Sequence, residues 1–167
     1  MGAAAMAKAW DHEEKEELSL SKAAEYLLEE CRMVLPGIQA LFGFQLIAVF
    51  NQRFGEKLSP FEQTLHLAAI ALVAIAVALV MAPAAYHRQS GARVLTEHFL
   101  DISTRLLLWS MLPLALGICI DFYLIARIIL DTSTVAFLAA LLFAIFILLW
   151  FALPRVASLK RLITRGE

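Results

Sequence analysis

Residues 106–126 read LLLWSMLPLALGICIDFYLIA, an apolar run with one carboxylate, Asp121, well inside it. A hydrocarbon layer roughly 30 Å thick is crossed by about twenty apolar residues in helical form. Three further stretches qualify on the same reading: Met33–Phe50, Leu65–Ala85 and Val135–Leu153. The first is the weakest, because it holds Pro36, Gly37, Gln39, Gly43 and Gln45. The second and fourth are nearly free of polar groups. The expected fold class is therefore all-α: an integral membrane protein built as an up-down-up-down four-helix transmembrane bundle.

Composition agrees with that reading. Of 167 residues, 61% are apolar and 17% charged, and mean hydropathy is +0.75. A soluble domain of this size carries about a quarter charged residues. Some 80 residues fall inside the four stretches, about what four crossings need, and this leaves no room for a separate globular domain. The lipid bilayer is the expected environment, and no nucleic acid is expected as a partner. A secretory signal has a basic start and an apolar core. Here the chain opens with Met1–Ala9 and the acidic run Asp11-His12-Glu13-Glu14-Lys15-Glu16-Glu17, so no removable leader is expected.

Basic residues flanking spans set orientation, with the excess on the cytoplasmic side. Lys22, Arg32, Arg88, Arg93, Arg105, Arg155, Lys160, Arg161 and Arg165 fall on one side, and Arg53, Lys57 and Arg127 on the other. Nine against three predicts cytoplasmic termini and residence in the inner (plasma) membrane.

Four parts are expected along the chain. Residues 1–17 form an acidic N-terminus. Residues 18–35 form an amphipathic cytoplasmic helix, because Leu20, Ala24, Leu27, Leu28 and Cys31 share one helical face. That helix is expected to enter the bilayer at a Pro36-Gly37 break. Residues 36–154 form the bundle, and 155–167 a basic tail. Ser59-Pro60-Phe61-Glu62 is a capping box with proline at the first helical position, so the second spanning helix should start there. Asp131-Thr132-Ser133-Thr134 marks the turn before span four, and Gln89-Ser90-Gly91 the turn after span two. From Ala92 onward nothing breaks helix before Pro113, so an amphipathic extension carrying Val94, Leu95, His98, Phe99 and Ile102 should precede span three. Pro83 is expected to bend the end of span two and set Tyr86 and His87 at the headgroup level.

Asp121 is the sharpest candidate for function. A charge at bilayer depth costs about 2.5–3.5 kcal/mol even on lenient insertion scales, so it faces a partner or a wet cavity. It shares a helix face with Ser110, Leu114 and Gly117. Two roles are open: an ion pair with Arg53 or Arg127, or an ion-binding site. Gln45 and Gln52 line up on span one, with Asn51 and Arg53 at its outer mouth, and His66 lies at a depth similar to Asp121. Asp121, His66, Gln45, Asn51, Gln52 and Arg53 are thus the candidate ion-binding or conducting residues. An Asp–His–Gln group could pass protons, since imidazole titrates near neutral pH. The amides could equally be glue between helices. Ala71, Ala74, Ala78, Ala82 and Ala85 form a small-residue stripe, and Gly117 joins them as a candidate packing position. Such a stripe marks close contact, inside the chain or between protomers.

Enzyme chemistry and cofactors are not expected. There is no glycine-rich phosphate loop, nucleophile motif or His-Glu-x-x-His pair. Cys31 and Cys119 fit neither a disulfide framework nor a metal site. Haem between paired histidines is also not expected, because His66 and His87 are 21 residues apart, roughly 31 Å along a helix.

The runs Val34-Leu35-Pro36-Gly37-Ile38-Gln39-Ala40-Leu41-Phe42-Gly43-Phe44-Gln45, Phe50-Asn51-Gln52-Arg53-Phe54 and Ala82-Pro83-Ala84-Ala85-Tyr86-His87-Arg88 resemble a bacterial domain-of-unknown-function family of small four-span membrane proteins. The resemblance covers about residues 24–90, with the acidic N-terminus outside it; the second half matches in hydropathy more than in motif. Some members carry the label sodium:proton antiporter. The resemblance implies transport of protons or monovalent cations, with a homo-oligomer enclosing the path. The alternative is a membrane scaffold or accessory subunit that binds a partner protein.

Overall fold

The computed structural model describes residues 20–89, 97–130, 132 and 134–155. These form α1 (Leu20–Val49), a short α2 (Gln52–Lys57), α3 (Pro60–Gln89), α4 (Glu97–Leu130) and α5 (Thr134–Ile147), which continues as a π-helical turn over Leu148–Ala152. Four helical segments are long and apolar enough to cross a membrane: Lys22–Val49, Pro60–Gln89, Glu97–Leu130 and Thr134–Arg155. The acidic N-terminus, the Ser90-Gly91 turn, residues 92–96 and the tail beyond Arg155 lie outside the described residues.

α1 corrects one expectation. No break occurs at Pro36-Gly37, and the amphipathic segment and the first span are one 30-residue helix running through Pro36. Proline removes one donor, so a single i→i−4 bond is lost. Packing along both halves of α1 outweighs that loss: Leu27 and Cys31 before the proline and Ile38 after it join the same buried cluster with Val73 and Val80 of α3. Pro83 and Pro113 likewise sit inside continuous helices, as spanning helices packed against neighbours tolerate.

The start of α3 is built as its sequence predicts. Ser59 donates from its backbone N–H and from its hydroxyl to Glu62 Oε2, both at 2.8 Å. Pro60 occupies the first helical position, where a missing N–H costs nothing. α3 then packs along α4 as the principal interface. Ala69, Val73, Ala76 and Val80 of α3 and Ala115 and Cys119 of α4 are buried. Gly117 lets the two backbones approach. A Cβ built there would lie 2.8 Å from Val73 Cγ2 and 3.2 Å from the Ala69 carbonyl oxygen. At the far end Tyr86 stacks on Phe99 with centroids 5.6 Å apart. With the contacts described below, this makes α3 and α4 antiparallel.

Among the described residues the alanine stripe is not the inward face of α3. Ala71, Ala74, Ala78 and Ala85 are exposed, and Ala82 is half-buried. The face of α3 turned inward carries Glu62, His66, Ala69, Val73, Ala76, Val80 and Pro83. Exposing Glu62 and His66 to hydrocarbon would cost far more than exposing alanine, so these two residues decide how α3 is rotated.

α1 packs on α3 and, over a shorter length, on α4; α5 packs on α4. Val135 is the one buried residue of α5, so most of the fourth span presents its flanks outward.

Candidate functional site

Three helices bring Gln45, His66 and Asp121 together. Gln45 is 3% exposed and His66 6%. Each comes to the cluster for a local reason. Gln45 lies on the stripe of α1 that holds Ile38 against α3. His66 follows Glu62 by one turn on the inward face of α3. Asp121 follows Gly117 by one turn on α4, where the glycine contact has already drawn the helices close.

The contacts are specific. Gln45 Nε2 donates to Asp121 Oδ2 at 2.5 Å. His66 Nδ1 lies 3.1 Å from Asp121 Oδ1, and His66 Nε2 lies 3.0 Å from the main-chain carbonyl oxygen of Gln45. The ring of Phe54, from α2, covers the imidazole at a centroid distance of 5.2 Å. The amide oxygen of Gln45, Oε1, is buried and has no hydrogen-bond partner.

Donor and acceptor accounting fixes the protonation of this group. A carbonyl oxygen only accepts, so Nε2 of His66 carries a hydrogen. One further proton must lie between Nδ1 and Oδ1, because two lone pairs would otherwise face each other. Neutral imidazole with a carboxylic acid, and imidazolium with a carboxylate, satisfy this equally. In either form the cluster holds one exchangeable proton and has no net charge. Removing that proton leaves a buried negative charge. It also leaves the imidazole with a single hydrogen for two acceptors, so one of its two contacts must go.

The ion pair expected between Asp121 and Arg127 is not formed. Arg127 Nε contacts Glu62 Oε1 at 2.7 Å, and Arg127 also donates to the Tyr123 hydroxyl at 3.3 Å. Arg127 lies six residues beyond Asp121, well over one helical turn toward the end of α4, where the cap carboxylate of α3 is nearer to hand. The Arg53 side chain lies outside the described residues. Asn51 and Gln52 are exposed at the corner between α1 and α2, so they stand apart from the buried group. In the sequence Glu62 shows only as a cap, and its second role as the partner of Arg127 needs the α3–α4 register. The ring packing of Phe54 depends on the short α2, which no periodicity signals.

The cluster lies at the wall of a cavity of about 210 Å³, otherwise lined by aliphatic and aromatic side chains including Leu41, Phe44, Ala48 and Ile125. A second cavity, of about 280 Å³, lies toward the other end between α1 and α3, with Arg32, His87 and Arg88 on its walls. Between the two, Val73, Ala76 and Val80 are fully packed. Among the described residues no group of three or more His, Cys, Asp or Glu could hold a metal ion.

A helical membrane protein with four potential spans and a buried histidine–aspartate pair is the class these features define. The chain belongs to a family of unknown function (DUF6328), whose model matches residues 13–154. The match reaches past residue 90 to the end of the fourth span, and it takes in the acidic segment from Glu13 onward. No curated protein and no solved structure matches the chain.

Proposed function

We propose that this protein exchanges protons for a monovalent cation across a membrane, with His66, Asp121 and Gln45 as the exchange site. The observation that carries the proposal is the 3.1 Å contact between His66 Nδ1 and Asp121 Oδ1, which needs a proton between the two atoms. A site that is neutral with its proton and negatively charged without it is costly to empty in a low-dielectric interior. A cation that enters as the proton leaves removes that cost, so the two are coupled one for one. The packed layer formed by Val73, Ala76 and Val80 separates the two cavities, so passage requires helix movement or a path completed between protomers. A homo-oligomer contacting through the outward alanine stripe of α3 fits the second route. The excess of basic residues on one side supports cytoplasmic termini and an inner-membrane location.

The deciding experiment reconstitutes the protein in liposomes with an internal pH-sensitive dye and imposes a cation gradient. Proton movement that Asp121→Asn abolishes, in a protein that still folds, supports the proposal. Equal proton movement in both proteins, or none in either, rejects it.

One observation favours a second reading, a scaffold or accessory subunit. The fourth span buries only Val135 against its own chain, which leaves its flanks for a partner helix. On that reading the polar cluster is structural, and Asp121→Asn lowers stability without touching any flux.

A further inference from the structure

We infer that the cation exchanged at this site is a lipophilic amine, bound in its protonated form in the cavity beside Asp121. The inference rests on the exchange reading and names its substrate class.

Three observations converge. The first is the wall of the cavity. Apart from Gln45, His66 and Asp121, its lining is apolar: Leu41, Phe44, Ala48, Phe54, Leu58, Leu124, Ile125 and Ile128. A hard cation such as sodium is held by several oxygen ligands, and this lining offers only the Gln45 and Asp121 side-chain oxygens. An alkyl or aryl body fits the same surface, and the lining includes two aromatic residues, Phe44 and Phe54, a residue type that attracts organic cations.

The second is the set of acceptors. Gln45 Oε1 is buried and unpartnered, and a buried acceptor without a donor costs about 1–3 kcal/mol. An ammonium group has three donors. Once the shared proton has gone, the site presents three acceptors: Asp121 Oδ1, His66 Nδ1 and Gln45 Oε1. With the ammonium seated against Asp121 Oδ1 and His66 Nδ1, His66 Nε2 keeps its hydrogen on the Gln45 carbonyl. The balance is simple: one ammonium enters, one proton leaves, and the net charge stays at zero. Among the described residues the neighbouring charges do not compete. Glu62 and Arg127 pair with each other, and Lys57 lines a separate opening beside them.

The third is access. Phe44 is 72% exposed and Ile125 59%, so the cavity opens on the outer flank of the helices, toward the membrane interior. A lipophilic amine concentrates there, whereas sodium does not.

The test uses the full-length protein in detergent, with phenethylamine as the probe and phenethyl alcohol as its uncharged counterpart. Calorimetric titration in two buffers of different ionisation enthalpy reads affinity and proton release together. Saturable phenethylamine binding with about one proton released is expected, together with no saturable binding of the alcohol. Asp121→Asn should weaken the amine by roughly thirtyfold or more. Ala48→Phe, which fills the cavity from α1 without altering the three polar residues, should abolish binding while leaving the helical circular-dichroism spectrum intact. Equal affinity for amine and alcohol, undiminished binding to Ala48→Phe, or binding without proton release would overturn the inference. Liposome flux separates the two levels. Proton movement driven by sodium and lost in Asp121→Asn, with no amine binding, keeps the exchange reading and rejects the amine. Amine binding with proton release but no flux keeps the binding site and rejects transport.

Discussion

His66 Nε2 lies 3.0 Å from the main-chain carbonyl oxygen of Gln45, while its other nitrogen faces Asp121. One imidazole therefore ties α3 to the backbone of α1 and to a side chain of α4, and it does both only while the cluster holds its proton. If the remaining hydrogen stays with the aspartate after proton loss, the tie to α1 is cut. Proton occupancy is thereby linked to how firmly α1 is held. Spin labels placed by Phe50→Cys and Phe61→Cys, in a background with Cys31 and Cys119 replaced by serine, should show this. The distance distribution is expected to broaden at alkaline pH in the parent and to be independent of pH in the double variant His66→Gln with Asp121→Asn, in which neither position can lose a proton. A parent distribution unchanged by pH would dissociate the proton from the helix.

Breaking the buried pair should cost much more than removing it. His66→Leu leaves Asp121 without its nearest neutralising partner, and a loss of about 3–5 kcal/mol is expected from denaturant unfolding in mild detergent. In the double variant His66→Leu with Asp121→Leu, most of that loss should return, since a buried pair replaced by apolar groups is often near neutral. A double variant as unstable as the single one would show that the pair is worth more than its desolvation.

Gly117 is expected to tolerate no side chain. Gly117→Ala places a methyl group 2.8 Å from Val73 Cγ2 and 3.2 Å from the Ala69 carbonyl oxygen. Valine can give way in part, but the backbone oxygen cannot. Overpacking of this kind costs about 1–3 kcal/mol. Adding Val73→Ala should recover only part of the loss, read as a thermal midpoint between those of the parent and the single variant.

Glu62 and Arg127 should respond unequally to substitution. Glu62 is 7% exposed and closes the capping box with Ser59, whereas the Arg127 side chain is 51% exposed. A half-exposed ion pair contributes about 0–1 kcal/mol. Glu62→Ala loses both the cap, worth about 1 kcal/mol, and the ion pair, whereas Arg127→Gln loses the ion pair alone. Glu62→Ala is therefore expected to lower the unfolding midpoint clearly more than Arg127→Gln. Equal effects would mean that the ion pair, rather than the cap, secures the start of α3.

Topology is checked by reporter fusions after Glu167 and at Lys57. The nine-to-three distribution of basic residues predicts these positions on opposite sides, with the C-terminus in the cytoplasm. An external C-terminus would overturn that orientation.

Four helices long and apolar enough to cross a bilayer were legible in the sequence because hydrocarbon imposes one-dimensional rules. A span needs a fixed length of apolar residues, and an acid inside it stands out against them. The cap at Ser59 and Glu62 was legible for a similar reason, since it is satisfied within four residues. Asp121, His66 and Gln45 could each be singled out as polar groups at depth. Their mutual arrangement could not. Which of the faces of α3 turns inward depends on the cost of exposing Glu62 and His66 compared with alanine, a choice made only when all the helices are packed. The partner of Arg127 depends on the register between α3 and α4, which the close approach at Gly117 sets. The continuity of α1 through Pro36 depends on contacts made on both sides of it with α3. Local chemistry and the bilayer determined the elements; the rotation and register of one helix against another, which no single span carries, decided what its polar groups meet.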